Sequence, residues 1–418
     1  MRMEGPGTRM RMGARVVGVA LAFAFACSGC GPNETPGALQ SITPTPVSPP
    51  LSPSPTVSPA PSPSPRPTAS CAERVLSGMS VAQRVGQLFV LGLVGDRPGP
   101  SEVSAIRADH LGSVSFVEKS SAGVAGIRRV SDAVQSLATT GTTARVRFYV
   151  AANQEGGIIQ SLTGPGFSTI LSAVDQGTLS RSTLKADATL WGRQLRAAGV
   201  NLNFAPVMDV VPPGTDAQNQ PIGVLKREYG HDPGTVAKHG VAFQQGMQEA
   251  GVATSAKHFP GLGRVAGNTD FTARVIDVAT TPDDPYLRSF AASVAAHVPF
   301  VMVALATYMK IDPNHLAVFS PVVIEQMLRG ALHFDGVVIS DDMGAATAVA
   351  SIPPGQRAID FLLAGGDMII SKTVAPAEAM YQAVLSRAAA RPAFRRVVDA
   401  SALRVLRAKQ ASRLLPCR

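Results

Sequence analysis

The amino-acid sequence predicts a (β/α)8 barrel, and two observations support this fold class. Eight short apolar, β-branched segments recur along residues 72–416, and most of the gaps between them contain a segment with helical periodicity. Alternating strands and helices indicate an α/β fold with a parallel sheet. Eight such units over about 345 residues fit a single barrel domain with long loops after its strands.

The predicted strands are short, apolar and rich in β-branched residues. In chain order they are Leu88–Leu93, Ser113–Val117, Arg147–Ala151, Val200–Ala205, Val252–Phe259, Phe300–Leu305, Val337–Ser340 and Asp367–Ile370. Helical periodicity is clear in Leu184–Ala198, Pro233–Ala250 and Pro321–Leu332. The alternative fold is an open doubly wound sheet, which would need a glycine-rich phosphate turn after the first strand; Leu93-Val94-Gly95-Asp96 is not such a turn.

The first 30 residues predict an export signal rather than part of the fold. Four arginines precede the apolar run Val16–Ala26, which is too short to span a bilayer comfortably. The run ends in Ala26-Cys27-Ser28-Gly29-Cys30, which is typical of a bacterial lipoprotein signal peptide. We therefore expect Cys30 to be lipidated and to anchor the exported protein to the outer face of the cell membrane. Cys27 is the second choice, because Phe25 occupies a position where a small residue is preferred, and ordinary secretory cleavage is the alternative.

Two further features divide the rest of the chain. Residues 31–70 are rich in proline, serine and threonine and predict a disordered tether, which leaves 71–418 as the barrel domain. Cys71 and Cys417 stand at the two ends of that domain. Disulfides persist in exported proteins, and a barrel closes between its first and last strands, so we expect these cysteines to be bonded; two free thiols are the alternative.

Charge and composition exclude several classes of partner. The net charge is +9, of which the first 30 residues contribute +3, and the remainder is scattered instead of forming the basic face that binds nucleic acid. The seven histidines include no His-x-x-x-His pair, Cys71 and Cys417 have no ligand spacing, and there is no phosphate loop. We expect no metal and no cofactor, and a monomer.

Polar residues follow five of the eight predicted strands, at the end of a barrel where catalytic residues lie. Asp341 is the strongest candidate, because it directly follows a strand of apolar or small residues and its carboxylate would point into the mouth of the barrel. A carboxylate held there could act as a nucleophile. A turn or N-cap role is the alternative, which Asp342 can fill. The five segments are Asn153–Gly157, Pro206–Asp209, Ala256–Asp270, Tyr308–Asp312 and Ser340–Met343.

Four of these motifs together resemble glycoside hydrolase family 3. They are Gln154-Glu155-Gly156-Gly157, Asn203–Asp209, Lys257-His258-Phe259-Pro260-Gly261 and Ser340-Asp341-Asp342-Met343, and the likeness runs from about Val81 to Lys372. The most similar branch is that of the barrel-only bacterial β-N-acetylglucosaminidases acting on peptidoglycan fragments. The resemblance implies a retaining mechanism in which Asp341 forms a covalent glycosyl-enzyme, while Lys257, His258 and Arg227 bind sugar hydroxyls. For His258 the alternative is an ordinary core histidine.

The chain departs from the pattern of this branch at three places. Asn153 stands where an aspartate usually binds a sugar hydroxyl, and Ile158 where an arginine is common. The Asp-x-His pair that supplies the acid/base is replaced by Asn268-Thr269-Asp270. Asp270 is the titratable side chain at the right place, and a carboxylic acid can do the same proton transfers. The alternative is that these three residues form only an Asx turn. Catalysis would then be lost, or another carboxylate would act as the acid/base, and Asp209 and Glu155 are weaker candidates for that role.

These features together predict an exported, lipid-anchored exo-glycosidase that removes terminal β-N-acetylglucosamine from cell-wall glycan fragments. A β-glycosidase with another sugar preference is one alternative. The other is a catalytically weak envelope lipoprotein that only binds glycans.

Overall fold

Eight parallel strands close into a barrel in chain order, with the first strand beside the eighth. The computed structural model describes residues 69–95 and 97–417, so the predicted signal peptide with Cys27 and Cys30, and nearly all of the tether, lie outside the described residues. Each barrel strand overlaps a predicted one, and the (β/α)8 fold is confirmed. The strands are Phe89–Leu93, Ser113–Phe116, Tyr149–Ala152, Leu202–Asn203, Ala253–Phe259, Phe300–Val303, Val337–Asp342 and Met368–Ser371.

Helices surround the barrel and begin at clear sequence signals. Ser180 caps Arg181–Ala197 by accepting from the Thr183 amide, and Asp232 caps Pro233–Glu249 in the same way, with proline in the first turn. Residues Val322–Ala331, within a segment predicted as a helix, form a π-helix. The other α-helices are Cys71–Gly78, Val81–Gly86, Pro100–Ala108, Gly123–Gln135, Thr140–Thr143, Ala173–Gln176, Arg288–Ala295, Pro354–Leu363, Val374–Ala390 and Pro392–Ala411.

Short elements decorate the loops after the strands. Gln154–Gly156 pairs with Ile159–Gln160, and Thr307–Tyr308 lies between Ile276–Asp277 and Asp312–Leu316 in a three-stranded sheet. Single 3-10 turns complete these loops at Asp216–Gln218, Gly223–Leu225, Pro285–Leu287, Ala317–Phe319 and Thr347–Val349.

The core consists of the strands and the helix faces that cover them. Every residue of the first three barrel strands is buried, which explains why they read as continuous apolar runs in the sequence. Aromatic side chains fill the larger spaces: Phe259 and Phe290 meet edge to face with ring centroids 5.3 Å apart, as do Tyr149 and Phe300.

The two ends of the domain meet on the side of the barrel opposite to the carboxyl ends of the strands. The predicted disulfide between Cys71 and Cys417 is present. Beside it, the Ala72 amide donates to Gln410 (2.9 Å), and the Arg147 amide, just before the third strand, donates to the Leu414 carbonyl (2.9 Å). Within the described residues no helix has the length and apolar character needed to cross a membrane.

Candidate active site

A cavity of about 280 Å³ opens at the carboxyl ends of the barrel strands. The sequence analysis predicted six site residues at this end of the barrel, and all six line the cavity: Asn153, Arg227, Lys257, His258, Asp270 and Asp341. The strands bring them together from five different loops or strand ends, which is the usual construction of a barrel active site.

A buried carboxylate joins three of the strand ends beside the cavity. Glu155, in the short strand after the third barrel strand, accepts two hydrogen bonds from the Arg227 guanidinium, both 2.8 Å. The Lys257 ammonium lies 2.6 Å from the same carboxylate and also donates to the Asn153 side-chain oxygen at 2.8 Å. The Arg227 guanidinium donates further to the Pro221 carbonyl. Glu155 therefore fixes the two cations as a rigid pair.

Electrostatics keep this group charged. Burial alone would raise the pKa of Glu155, but Arg227 and Lys257 lower it to about 2. Burial lowers the pKa of Lys257 despite the attraction of Glu155. The pKa of Arg227 is raised above its already high value by Glu155, against the effect of burial. The guanidinium and the ionised carboxylate are thus stable partners in a buried place.

His258 is held by a carboxylate below the cavity. Its Nδ1 lies 2.7 Å from Asp209, and the same carboxylate accepts from the backbone amides of His258 and Leu262 at 3.1 and 2.8 Å. Asp209 is fully buried, so it acts through His258 and the turn after the fifth strand rather than by touching a ligand. The Nε2 of His258 lies 3.5 Å from Arg227.

Asp341 is the penultimate residue of the seventh strand and is a partly buried carboxylate at the cavity wall. Burial alone would raise its pKa, but electrostatic interactions with His258 and Lys372 and the backbone amide of Asp342 lower it below the ordinary value. That amide donates to Asp341 at 2.8 Å. Asp341 is therefore an ionised carboxylate facing an enclosed space, which suits a nucleophile.

Asp342 has the structural role of a turn residue that the sequence analysis considered for it. Its buried side chain accepts from the amides of Gly344 and Lys372 at 2.9 and 3.0 Å, and so ties the seventh strand end to the eighth. Burial raises its pKa above the ordinary value.

Lys372 is a charged cavity residue that the sequence analysis missed. It directly follows the eighth strand, and its ammonium lies 3.3 Å from Asp270 and 3.6 Å from Asp342. Burial alone would lower the pKa of Lys372, but the carboxylates of Asp270, Asp342 and Asp341 raise it. A lysine two residues after the predicted strand Asp367–Ile370 was a signal that could have identified it.

Asp270 lies on the loop that closes one side of the cavity. The Asn268 side chain accepts from the Asp270 amide at 3.0 Å, so the Asx turn considered as the alternative is present. The Asp270 carboxylate nevertheless lines the cavity, because the loop is docked: the Thr347 hydroxyl donates to the Asp270 carbonyl at 2.8 Å. The turn and the proton-transfer role are therefore compatible in geometry.

The segment after the sixth strand does not contribute polar side chains to this cavity. The Tyr308 hydroxyl donates to the Gly261 carbonyl at 2.7 Å, and Asp312 accepts from Ser320 and contacts His315. These residues support the neighbouring loop and its small sheet. The expectation that five strand ends contribute polar residues to the site was therefore wrong for the sixth strand.

Removal of the Glu155 charge tests the buried group. Glu155→Gln leaves Lys257 and Arg227 close together without their counter-ion, and we expect it to lower the free energy of unfolding at pH 7 by about 3–5 kcal/mol. Because the pKa of Glu155 is lowered from 4.5 to about 2, its stabilisation is complete above pH 4.5 and is lost as the pH falls through this window. Urea unfolding at pH 7 measures the loss of stability, and urea unfolding between pH 4.5 and about 2 measures its pH dependence.

The matched control for this variant is Glu102→Gln, which removes a buried carboxyl from helix Pro100–Ala108, where it contacts Ser101 rather than a cation. We expect a smaller loss there. Equal losses in the two variants, or an unchanged acid limb in Glu155→Gln, would contradict the assigned role of Glu155.

Comparison with known proteins identifies the family. The model of the glycosyl hydrolase family 3 N-terminal domain matches residues 80–408. The β-hexosaminidase of Xanthomonas campestris pv. campestris is 30% identical over 295 residues, which is 68% of this chain and 83% of the relative. The β-hexosaminidase of Xylella fastidiosa is 33% identical over 267 residues, covering 62% of this chain and 75% of the relative.

Comparison with solved structures agrees with this family match. The crystal structure of β-N-acetylhexosaminidase from Beutenbergia cavernae is 47% identical, has a TM-score of 0.78, and covers 79% of this chain and 99% of that one. A family 3 β-N-acetylglucosaminidase from Paenibacillus is 27% identical with a TM-score of 0.72, covering 81% of this chain and 64% of that one. On the match across its barrel, the chain belongs to glycosyl hydrolase family 3 and is a glycoside hydrolase.

Proposed function

We propose that this protein is a retaining exo-glycosidase that hydrolyses terminal β-N-acetylglucosaminides through a covalent intermediate on Asp341. The observation that carries the proposal is this carboxylate, which is ionised beside His258 and Lys372 and opens onto the cavity. The names of its relatives support the sugar, since they are β-hexosaminidases and β-N-acetylglucosaminidases.

The size of the cavity supports action on a chain end. A volume of about 280 Å³ is at the small end of ligand pockets, which are typically about 300–1,000 Å³. One terminal sugar fits such a space better than the interior of a long glycan. Arg227, Lys257, His258 and Asn153 present donors and an amide to its hydroxyl groups, and Glu155 and Asp209 hold three of them in position.

The first chemical step breaks the glycosidic bond. An Asp341 oxygen attacks the anomeric carbon, the bond to the leaving oxygen breaks, and Asp270 gives its proton to that oxygen. The Lys372 ammonium, 3.3 Å from Asp270, stabilises the negative charge that Asp270 then carries.

The second step regenerates the enzyme. Asp270, now the base, takes a proton from water, whose oxygen attacks the anomeric carbon and releases Asp341 as a carboxylate. The two carboxylates return to their starting charges, and the sugar leaves with its original configuration.

The proposed location follows from the first 70 residues. A lipobox at Cys30 followed by a proline-rich tether would hold the barrel away from the outer face of the cell membrane, within reach of peptidoglycan. We therefore include lipid anchoring and cell-wall glycan fragments in the proposal.

Kinetics with aryl β-N-acetylglucosaminides test the two catalytic roles. We expect Asp341→Asn to reduce hydrolysis to background with every leaving group. We expect Asp270→Asn to lose about 10²–10⁴-fold with a poor leaving group and far less with a good one, which needs little protonation. Asp283→Asn, an exposed aspartate in the same loop after the fifth strand, is the matched control and should retain activity.

Three outcomes would contradict this assignment. Equal losses with both leaving groups would remove Asp270 from the acid/base role. Higher kcat/KM on an aryl β-glycoside of another sugar would replace the proposed specificity. Glycan binding without turnover in the wild type would favour a catalytically weak binding lipoprotein.

Fractionation of cells tests the anchor. We expect Cys30→Ala to move the protein out of the membrane fraction, because the lipidated cysteine is removed, whereas Cys27→Ala should stay membrane-bound. A Cys30→Ala protein that remains in the membrane fraction would refute lipidation at this residue.

A further inference from the structure

A second group of ionisable side chains lies in the long loop between the fourth strand and helix Pro233–Glu249. Asp216, Glu228 and His231 each place one potential ligand atom within 4.8 Å of the others. Of the residues described, 69–95 and 97–417, these three are the one such group able to hold a metal ion. They are not part of the proposed mechanism.

The second observation is an unsatisfied carboxylate within this group. Glu228 is 1% exposed, and its Oε2 has no hydrogen-bond partner. A buried polar atom without a partner is costly and rare in folded proteins. The carboxyl group of Glu228 is thus buried close to that of Asp216, and one of its oxygens is left unsatisfied.

The third member supplies a nitrogen ligand. Nδ1 of His231 lies 3.7 Å from Asp216 and 3.2 Å from the Val211 carbonyl oxygen. Nδ1 can bind a cation when it carries no proton, and it then gives up its contact with the Val211 carbonyl. Asp216 and His231 are partly exposed, so an ion could enter from solvent.

We propose that Asp216, Glu228 and His231 bind one divalent cation of the zinc type. An imidazole with two carboxylates is a donor set that zinc accepts, whereas calcium and magnesium prefer oxygen ligands alone. Tetrahedral ligands about 2.0–2.1 Å from zinc are about 3.3 Å apart, so the three side chains would move slightly inward on binding. Water would complete the coordination.

The ion would brace one wall of the sugar cavity. Glu228 directly follows Arg227, and the loop it belongs to also carries Asn219, whose side chain donates to the Leu262 and Val265 carbonyls at 2.7 Å each. The cation would join residues 216 and 231 at the two ends of this stretch. Its role is structural, because none of its three ligands lines the cavity.

Calorimetric titration of the chelator-treated full chain with zinc chloride tests the site. We expect one zinc per chain and a higher melting temperature with zinc. Glu228→Gln and His231→Ala should each weaken binding at least about tenfold and lose the thermal shift, because each removes one of three protein ligands. If Glu228→Gln, at the buried position, folds poorly, Asp216→Asn at a partly exposed position gives the same readout of zinc affinity and thermal shift.

Two controls separate this site from other zinc ligands. His315→Ala removes an exposed imidazole that contacts Asp312, and Asp341→Asn removes the cavity carboxylate; both should bind zinc as the wild type does. The proposal is overturned by the absence of zinc binding, by unchanged affinity in Glu228→Gln and His231→Ala, or by loss of binding in Asp341→Asn. The readout is binding, so it is independent of the proposed activity.

Discussion

The contact of Glu155 with Arg227 and Lys257 is the constraint on which the site depends. The proposed binding of uncharged sugar hydroxyls needs strong donors, but two buried cations side by side would repel each other and lose hydration. One carboxylate at 2.6–2.8 Å from both resolves this conflict. It also joins the loops after the third and fourth strands to the fifth strand, so the charge arrangement and the shape of the cavity have the same origin.

The same arrangement distributes the remaining charges for chemistry. His258 and Lys372 keep the pKa of Asp341 low, although burial would raise it. Asp342 orders the backbone behind them, and Asp209 fixes the imidazole. Asp270 is held at the same cavity by a docked loop and by Lys372. One carboxylate is thereby fixed in the anionic state and the other is placed where a proton can be exchanged, which is the division of roles the proposed mechanism needs.

The sequence was sufficient for the barrel and for six cavity residues, for a physical reason. Parallel strands buried on both faces are continuous apolar runs, and polar residues after such a run lie at the mouth, so Asp341 could be placed by position. The other five cavity residues were placed by the resemblance to a known family. The pairing of Cys71 with Cys417 followed from barrel closure.

The remaining features depended on contacts that no local pattern encodes. Lys372 was missed because its partners, Asp270 and Asp342, are on other loops. Asp312, in the polar segment after the sixth strand, does not line the cavity, because its partners Ser320 and His315 lie within its own loop. The group of Asp216, Glu228 and His231 has irregular spacing, so a search for metal-ligand motifs could not detect it, and only the folded loop brings the three together.

The central claim is that Asp341 forms the covalent glycosyl-enzyme. The most direct measurement is trapping with a fluorinated β-N-acetylglucosaminyl fluoride that slows the second step, followed by proteolysis and mass spectrometry of the labelled peptide. The account predicts a mass increase of one sugar per chain, located on Asp341 and released as activity returns. A label on any other residue, or full turnover of the reagent with no trapped adduct and an inverted product, would contradict it.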